Sequence, residues 1–590
     1  MTDAPAGPAF NIRDIPFSRY GSWFDISPVT GEHTRAEDLH LVSHQNGMHP
    51  VLRLIPLAAP LGRRAETRWD AAPGRLSWTG QDGHIELAYQ AADILRLRGT
   101  GLSLRVTAGA EQLTPFSGTF FFHDPADDSY VFTSYETGRR YRVTVLTGQA
   151  VDVQGGEALG TAQRGLTLTS GGSSVWEAAV EELDSARTPY TPAATYEQVA
   201  NRADRDFSRF ADEVAPWRTG DTPAAELAAY VVWSATVRPA GFLGRPAVLM
   251  SKHWMDKVWS WDHCFNALAL APGAPGLAWD QFQIMFDHQD ESGALPDSVT
   301  HSEVLYNFVK PPIHGWALRR LRRRLPRPLD RAELTEAYTR LERWTRFWLT
   351  VRHAPDQLLP HYQHGNDSGW DNATTFDPGR LQTTADLAAF LVLQLRELAD
   401  LATELDHPDR AADWARTADT IQTAMIEELW TGDRFQARPP RTGTAATSLS
   451  LLDLMPIVLG EHLPGDISTR LAEHIETHLT AHGLATERPD SPHYQADGYW
   501  RGPIWAPATV LIEDGLRRAG HDRLADEISA RFRTLCETSG FAENFDALTG
   551  EGLRDRAYTW TASSYLLLAE EHSRRTRPRK NDDHRSTPQR

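Results

Sequence analysis

Hydrophobic and polar residues alternate with a period of two through roughly the first third of the chain, from about Phe10 to Leu183. Clear examples are residues 84–90 (HIELAYQ) and 116–124 (FSGTFFFHD), and Gly, Asp and Asn separate the runs. Such alternation is typical of antiparallel strands that bury one face. The sequence therefore predicts an N-terminal antiparallel β-sandwich over residues 1–185.

The period changes to 3.6 from about residue 196, where amphipathic stretches such as 331–352, 384–405 and 448–460 begin to alternate with polar loops. About a dozen helices are expected from this pattern. A dozen helices in pairs favour a closed ring of six helical hairpins, an (α/α)₆ toroid, over residues 221–572. A superhelical solenoid is the alternative, although no fixed-period repeat supports it. The predicted fold class is α+β multidomain.

Two segments do not fit either pattern. Residues 184–198 contain two prolines and few apolar side chains, so residues 186–220 are assigned to a linker and a first helix. The basic end of the chain, residues 573–590, is predicted to be a disordered tail. A nucleic-acid-binding arm is the alternative for that tail.

Composition narrows the class of protein. The net charge of −18 disfavours nucleic acid and other polyanions as partners. Two cysteines cannot build a disulfide framework, and no apolar run reaches 18 residues. With no recognisable signal peptide, a soluble cytoplasmic protein without a membrane partner is expected, its oligomeric state left open. The 19 tryptophans are numerous, and Trp faces often pack against sugar rings.

Polar and aromatic residues concentrate in four clusters between the predicted helices. The first, residues 251–270, contains Trp259, Trp261 and Asp262 just before an apolar helical run. A carboxylate at a helix start suits the helix dipole, which is the purely structural interpretation of Asp262. The neighbouring tryptophans instead indicate a sugar-binding wall.

The second cluster, residues 288–318, contains Gln289, Asp290 and Asp297 in a loop, followed by KPPIHGWAL (310–318). Pro-Pro before a helical pattern marks a helix start. A polar loop followed by a helix N-terminus explains this cluster as well as a binding site does.

The third cluster, residues 361–377 (HYQHGNDSGWDNATTFD), has no helical or strand period. His361 and His364 lack a third ligand at ordinary spacing, so a zinc site is disfavoured. We expect Asp371 to lie beside Trp370, because an apolar wall raises the pKa of a carboxyl group and makes it a general acid near neutral pH.

The fourth cluster joins residues 497–507 (DGYWRGPIWAP) and 541–563. Tyr499, Trp500 and Trp505 offer aromatic faces, and Glu543 lies between two phenylalanines. Taken alone, Glu543 is more simply a solvated loop residue. Paired with Asp371 it becomes a candidate base that activates water, because acetal hydrolysis needs two carboxyl groups on opposite sides of the sugar.

These motifs carry a resemblance to a known group of enzymes. WSWDHCFNAL (259–268), KPPIHGWAL (310–318), DSGWDNATTFD (367–377), YWRGPIWAP (499–507) and FAENFDALTGEG (541–552) occur in this order. The chain resembles the glycosidases of glycoside hydrolase family 63 and their relatives, which include mannosylglycerate and glucosylglycerate hydrolases and bacterial α-glucosidases. The resemblance covers nearly all of the second half of the chain.

The resemblance implies an (α/α)₆ barrel and an inverting mechanism. In it Asp371 is the general acid and Glu543 the general base. The implied substrate-binding residues bind the hydroxyls of the terminal sugar or line its subsite; they are Trp259, Trp261, Asp262, Gln289, Trp370, Tyr499, Trp500 and Trp505. Asp367 and Glu487 depart from the pattern, in loops that set the leaving-group subsite.

The predicted function is therefore an exo-acting inverting glycoside hydrolase, most simply one that cleaves an α-glucosidic bond in a small saccharide or glycoside. A sugar phosphorylase, a lyase or a non-catalytic carbohydrate-binding protein are the alternatives. No redox or phosphate-binding motif is visible, so no organic cofactor and no catalytic metal are expected. The many loop carboxylates leave a structural Ca²⁺ open.

Overall fold

A computed structural model describes residues 7–58, 62–155, 159–441, 445 and 447–576 of the chain. Within them, an N-terminal β-domain precedes a helical domain. Residues 577–590 of the predicted tail lie outside the described residues, as do residues 1–6. The first four residues of that tail, 573–576, form the end of the last helix.

The N-terminal domain consists of two antiparallel sheets. Its strands in the described residues are β1 (Phe24–Gly31), β2 (Thr34–Ser43), β3 (His49–Ala58), β4 (Arg63–Arg64), β5 (Thr67–Ala72), β6 (Arg75–Gly80), β7 (His84–Ala91), β8 (Ile94–Thr100), β9 (Ser103–Ala108), β10 (Thr119–Asp124), β11 (Ser129–Ser134), β12 (Arg140–Thr147), β13 (Gln149–Gln154), β14 (Gly165–Thr169) and β15 (Trp176–Leu183). One sheet has the order β1-β2-β3-β9-β14-β13 with β4 paired to β3, and the other has the order β10-β11-β12-β15-β8-β7-β6-β5. The prediction of an N-terminal β-sandwich is confirmed.

The alternation of residue types explains how the two sheets pack. Leu52 and Leu54 of β3 are buried and meet Leu95 and Leu97 of the other sheet in one core. Arg53, between the first two, has a half-exposed side chain paired with a carboxylate. Each buried leucine contributes about 1.5–3 kcal/mol of transfer free energy, which fixes the register because a one-residue slip would expose the whole set.

The helical domain follows a connecting segment. Its helices in the described residues are α1 (Tyr196–Val214), α2 (Ala225–Ala235), α3 (Asp262–Leu270), α4 (Pro275–Gln283), α5 (His314–Arg324), α6 (Arg331–Thr350), α7 (Ala385–Glu404), α8 (Pro408–Leu429), α9 (Gly465–Glu476), α10 (Ala506–Arg518), α11 (Asp522–Ser539) and α12 (Thr559–Thr576). Short 3₁₀ segments occupy Phe286–His288, Gly365–Ser368, Thr374–Phe376 and Leu451–His462. Two-residue strands pair within the loops: β16 (Thr236–Val237), β17 (Ala247–Val248), β18 (Val258–Trp259), β19 (Ser298–Val299), β20 (Val304–Leu305), β21 (Asn544–Phe545) and β22 (Gly552–Leu553).

The helices close into a ring. An inner circle runs α3, α5, α7, the 3₁₀ segment Leu451–His462, α10 and α12, and α12 packs back onto α3. The outer helices α2, α4, α6, α8, α9 and α11 surround this circle; α5 contacts α6 through the hydrogen bond from Trp344 to His314. The (α/α)₆ toroid is confirmed, and the solenoid alternative is wrong because the last inner helix contacts the first.

One inner element differs from its predicted form. The stretch 448–460 has an amphipathic pattern that predicts an α-helix, but it folds as 3₁₀ turns over Leu451–His462. Pro456 lies inside it and offers no N–H, and Gly460 has a φ of 56°. An interior proline removes a helical hydrogen bond, which favours short 3₁₀ turns over a continuous α-helix.

Helix α1 connects the two domains. It begins with a capping box in which Thr195 and Gln198 exchange side-chain and backbone hydrogen bonds. Tyr196 is buried, with the guanidinium of Arg98 4.3 Å above its ring, so α1 packs on the sheet that contains β7 and β8. No helix in the described ranges combines the length and apolarity that crossing a bilayer requires.

Candidate active site

The segments that precede the inner helices meet on one rim of the ring. These segments contain all four polar clusters and lie before α3, α5, α7, α10 and α12. Hydrogen bonds join them across long separations in sequence: the Asn372 amide donates to the Gly498 carbonyl and accepts from the Trp500 N–H, both at 3.0 Å. The ring thus gathers loops that are far apart in the chain.

Lys310 lies at the centre of this rim. Its Nζ is 3.1 Å from Asp297 Oδ1 and 3.8 Å from Asp371 Oδ1, and it donates to the Asn366 carbonyl at 2.9 Å. Burial alone would lower the pKa of Lys310, but the fields of Asp371 and Asp297 raise it. A buried, permanently charged ammonium therefore stands between two carboxylates.

Asp371 has a partly open carboxyl group. Its side chain is 30% exposed, and its Oδ1 is buried without a hydrogen-bond partner among the described residues. Burial raises the pKa of Asp371, Lys310 opposes that shift, and Asp297 adds to it. The group is therefore free to share a proton with a molecule bound at the rim.

Glu543 is more deeply enclosed, with only 3% of the residue exposed. Its backbone N–H donates to the Asp555 carbonyl at 2.7 Å. Burial raises the pKa of Glu543 to about 8, with a further rise from the charge of Asp555 and an opposing effect of Arg554. The charge of Asp371 also raises it, so the two carboxyl groups lie within each other's field.

Asp371 and Glu543 come from opposite parts of the ring, before α7 and before α12. Both also raise the pKa of the Tyr499 hydroxyl, which is raised mainly by burial. Among the described residues, no hydrogen bond joins the two carboxyl groups to each other. Both carboxyl groups therefore act on the same tyrosine, and they do not form a hydrogen-bonded carboxyl dyad.

Asp262 begins α3 and is buried. Its Oδ2 has no hydrogen-bond partner in the described part of the chain. Burial raises the pKa of Asp262 to about 8; Lys310 opposes this rise, and Asp297 and Asp371 increase it. An unpartnered buried oxygen in this cluster is suited to accept a hydrogen bond from a ligand hydroxyl.

The predicted tryptophan walls fall into two groups. Trp370, Trp500 and Trp505 are almost fully buried, and the last two stack in parallel with ring centroids 4.1 Å apart. Trp370 packs on Trp500 at 4.6 Å and Trp261 on Trp500 at 6.3 Å. The faces of these rings pack against one another, so the four tryptophans form a buried aromatic layer beneath the rim. Trp259 is the partly exposed tryptophan of the predicted set.

Tyr499 and Gln289 lie in different surroundings. Tyr499 is partly exposed, with a φ of 64°, and the Arg554 guanidinium lies 5.0 Å above its ring. Its carbonyl accepts a 2.8 Å hydrogen bond from Trp505 Nε1, which stabilises the unusual backbone. The Gln289 amide donates to the carbonyls of Gly293 and Arg340. That bracing contact ties Gln289 to α6, and no described contact links it to the carboxyl cluster.

The residues that depart from the family pattern have structural partners. Asp367 accepts hydrogen bonds from Arg352 at 2.8 Å and from the Val309 N–H at 3.1 Å, which connects the second and third clusters. Glu487 is fully buried and accepts from the Thr374 hydroxyl at 2.7 Å. Both carboxylates therefore hold loops of the rim together.

One buried group in the described residues has metal-ligand chemistry: His263, Cys264 and His314, with candidate ligand atoms within 4.8 Å of one another. His314 Nδ1 accepts a hydrogen bond from Trp344 Nε1 at 3.2 Å, so in the neutral ring its proton is on Nε2. Burial lowers the pKa of His263 to about 4 and keeps it neutral. The donor set fits a hydrogen-bonded core better than a metal site.

Sequence reasoning missed Lys310, Arg554 and Asp555 as parts of the site. Lys310 stands in the quoted KPPIHGWAL motif, and a cation directly before Pro-Pro between acidic clusters is a signal that could have identified it. Arg554 and Asp555 carry no such local signal, because their relevance comes from contacts with Tyr499 and Glu543.

The carboxyl cluster on the rim of an (α/α)₆ ring matches a known enzyme family. The family model of the mannosylglycerate hydrolase MGH1-like glycoside hydrolase domain matches residues 255–561, just over half of the chain. The chain belongs to this glycoside hydrolase family. The resemblance inferred from the five motifs is confirmed, and the matched range contains every predicted site residue.

Individual relatives agree with the family. A mannosylglycerate hydrolase from Rubrobacter radiotolerans is 25% identical over 403 residues, which cover 52% of this chain and 89% of that protein. Two solved structures share the fold. The GH63 mannosylglycerate hydrolase from Thermus thermophilus in complex with glucose has a TM-score of 0.51 and 20% identity, covering 58% of this chain and 98% of that one. A bacterial glucoamylase complexed with acarbose has a TM-score of 0.63 and 11% identity, covering 96% of both chains.

Proposed function

We propose that the protein is an exo-acting, inverting glycoside hydrolase that cleaves an α-glucosidic bond in a small saccharide or glycoside. The observation that carries the proposal is the pair of Asp371 and Glu543. These carboxyl groups come from opposite parts of the ring, lie in each other's field and make no hydrogen bond to each other. An inverting mechanism needs two such groups about 6.5–9.5 Å apart, with a water between one of them and the sugar.

In the proposed reaction Asp371 acts as the general acid. Its carboxyl proton passes to the glycosidic oxygen as the bond from that oxygen to the anomeric carbon breaks. Glu543 takes a proton from the water that attacks the anomeric carbon on the opposite face. The products are the free sugar with inverted configuration and the released alcohol, and proton exchange with solvent restores both carboxyl groups.

Neighbouring groups have supporting roles in this scheme. Asp262, with its unpartnered oxygen, is suited to accept a hydrogen bond from a hydroxyl of the terminal sugar, and Trp259 and Tyr499 are partly exposed aromatic faces for the ring. Lys310 neutralises part of the negative charge of the cluster. Since Rubrobacter and Thermus relatives are named mannosylglycerate hydrolases, a glycoside of glycerate is a candidate substrate for this chain.

The electrostatics of the site predict a pH dependence. The pKa of Glu543 is raised to about 8, so the ionised form that a base requires is a minority of the free enzyme at pH 7 and increases toward pH 8. For α-glucosyl fluoride, whose fluoride leaves without a protonated acid, kcat/KM should therefore rise between pH 6 and pH 8. Fixed activity over that range would contradict a general-base role for Glu543.

A leaving-group experiment tests the two roles separately. Asp371→Asn should lower kcat on an α-glucoside by about 10²- to 10⁴-fold. It should retain much of the wild-type activity on α-glucosyl fluoride, because fluoride leaves without a protonated acid. Glu543→Gln should lose activity on both substrates.

Asp377→Asn and Glu551→Gln are matched controls, since both carboxylates are exposed and lie close in sequence to the tested pair. They should retain near-wild-type rates. If Asp371→Asn loses activity on both substrates and Glu543→Gln retains activity on α-glucosyl fluoride, the two roles are reversed. If neither variant is impaired, the proposed site is wrong.

A further inference from the structure

The loop of residues 251–257 lies between the N-terminal β-domain and the candidate base. Ser251, Lys252, His253 and Asp256 are all buried, which is unusual for a loop with so many polar side chains. Each of these groups therefore needs a partner, and the partners lie on two different sides.

One side of the loop is held by the N-terminal part of the chain. Lys252 Nζ donates to the Ser18 hydroxyl at 2.9 Å and to the Ser22 carbonyl at 2.7 Å. These two partners precede β1, so they connect the β-domain to the barrel rim. Lys252 is 1% exposed, and this burial lowers its pKa to about 7.

A second contact on the same side involves three ionisable groups. His44, in the β-domain, is 2.7 Å from Asp25 through Nε2 and 3.2 Å from Asp256 through Nδ1. Burial lowers the pKa of His44, but the two carboxylates raise it to about 9. An imidazolium between two carboxylates fixes Asp256, and with it the end of the loop.

The other side of the loop grips Asp555. The Ser251 hydroxyl donates to Asp555 Oδ2 at 2.5 Å, and His253 Nδ1 lies 3.0 Å from Asp555 Oδ1. The Ala557 N–H also donates to Oδ1, at 2.9 Å. These partners lower the pKa of Asp555 against the effect of burial, so it is ionised. The carbonyl of the same residue accepts the 2.7 Å hydrogen bond from the Glu543 N–H.

We propose that Asp555 is a positioning residue for Glu543, and that the N-terminal domain holds it in place through the 251–257 loop. The inference rests on the proposed function, because it assigns the loop a role in the placement of the general base. The mannosylglycerate hydrolase relative from Rubrobacter aligns with only 52% of this chain, and the family match begins at residue 255. The contacts of Lys252 with Ser18 and Ser22 therefore lie outside the range that the family model matches.

Asp555 also contributes to the charge around Glu543. The groups that act on the Glu543 carboxyl or are acted on by it are Asp555, Arg554, Asp371, Tyr499 and Tyr558. Of these, Arg554 opposes the rise in the pKa of Glu543, whereas Asp555 and Asp371 promote it. Loss of the Asp555 charge therefore removes one of the two carboxylates that raise the pKa of Glu543, so this pKa should fall.

The experiment is Asp555→Asn, which keeps the shape of the side chain and removes its charge. We expect kcat to fall about 10- to 100-fold through misplacement of the base, with a smaller change in KM. On α-glucosyl fluoride, which needs no protonated acid, the acidic limb of the kcat/KM profile should move to lower pH by on the order of one unit. A purely structural role would lower the amount of folded protein without moving that limb. Wild-type kcat and an unmoved limb would overturn the proposal.

A second pair of variants applies if Asp555→Asn fails to fold. His253→Ala removes the donor to Asp555, whereas His253→Asn offers an amide N–H near the position of Nδ1. The alanine variant should lose at least tenfold in kcat and the asparagine variant should recover part of that loss. Equal activity of the two variants would overturn the positioning role.

The domain contact has its own test. Lys252→Met removes the buried contact to Ser18 and Ser22, and Lys257→Met removes a half-buried lysine from the same loop as a control. We expect a severalfold loss of kcat only for Lys252→Met in the folded full-length chain; equal rates would refute the role of the N-terminal domain. Glu543→Gln separates the two proposals: if it remains active, the proposed function fails, and if it is inactive while every loop variant is normal, only the positioning inference fails.

Discussion

Gly369, two residues before Asp371, is the position where a single added methyl group should disturb both stability and chemistry. Its φ is +75°, in the left-handed region. A Cβ atom at this position would lie 2.3 Å from Cζ2 of Trp261, well inside van der Waals contact. Trp261 cannot retreat freely, because it packs edge-on against Trp560 at 4.8 Å.

The expected cost of Gly369→Ala has two parts. A left-handed backbone costs a non-glycine residue about 1 kcal/mol, and displacement of a packed ring costs about 1–3 kcal/mol. The sum is about 2–4 kcal/mol, which lowers the apparent Tm of a helical domain of roughly 350 residues by about 3–6 °C. Because Asp371 must shift with the loop, kcat should also fall about tenfold or more.

Gly432→Ala is the matched control. Gly432 also has a positive φ, +94°, but nothing lies within 4 Å of its added Cβ. Gly432→Ala should lose only the stability that the left-handed backbone costs, about 1 kcal/mol, and should keep full activity. Thermal unfolding followed by tryptophan fluorescence, together with kcat, measures both variants. If Gly369→Ala behaves like Gly432→Ala, the packing of Trp261 under the catalytic loop is not what the structure indicates.

Two further predictions concern the charges around the site. Lys310→Met removes the ammonium that lowers the pKa of Asp371, so that pKa should rise. The limb of the pH–rate profile that is present for an α-glucoside and absent for α-glucosyl fluoride reports Asp371, and it should move to higher pH; an unchanged or lower limb would refute the assignment of Asp371 as the acid. Arg352→Met should destabilise the protein by about 3–5 kcal/mol in thermal unfolding, because it leaves the buried Asp367 charge unpaired. The exposed Arg416 is the control, and its replacement by Met should change stability by less than about 1 kcal/mol.

Local patterns predicted most of the fold. Strands such as β3 show a period of two, and α6 and α7 show a period of 3.6. Both periods indicate burial of one face, which residues close in sequence are sufficient to predict. The 3₁₀ form of Leu451–His462 was not predicted, because the apolar spacing of this segment indicates an α-helix although Pro456 lies inside it. An interior proline is therefore evidence against a continuous α-helix even where the surrounding residues have an amphipathic pattern.

The candidate site was less accessible to sequence reasoning. Asp371 and Glu543 lie in recognisable sequence motifs. The contact between His253 and Asp555, in contrast, joins residues 302 positions apart and depends on how the ring closes. The abundance of tryptophan predicted aromatic sugar walls. Trp500 and Trp505 stack on each other with ring centroids 4.1 Å apart, a contact that composition alone does not predict.

The stereochemistry of the first product tests the central claim most directly. Purified protein is mixed with an α-glycoside, drawn from a panel of α-linked disaccharides and of glucosyl- and mannosylglycerate. The anomeric proton of the released sugar is followed by NMR before mutarotation. Two carboxyl groups that act across a water predict that the β-anomer appears first and that phosphate is not required. Release of the α-anomer first, or a sugar phosphate formed only with added phosphate, would contradict the account.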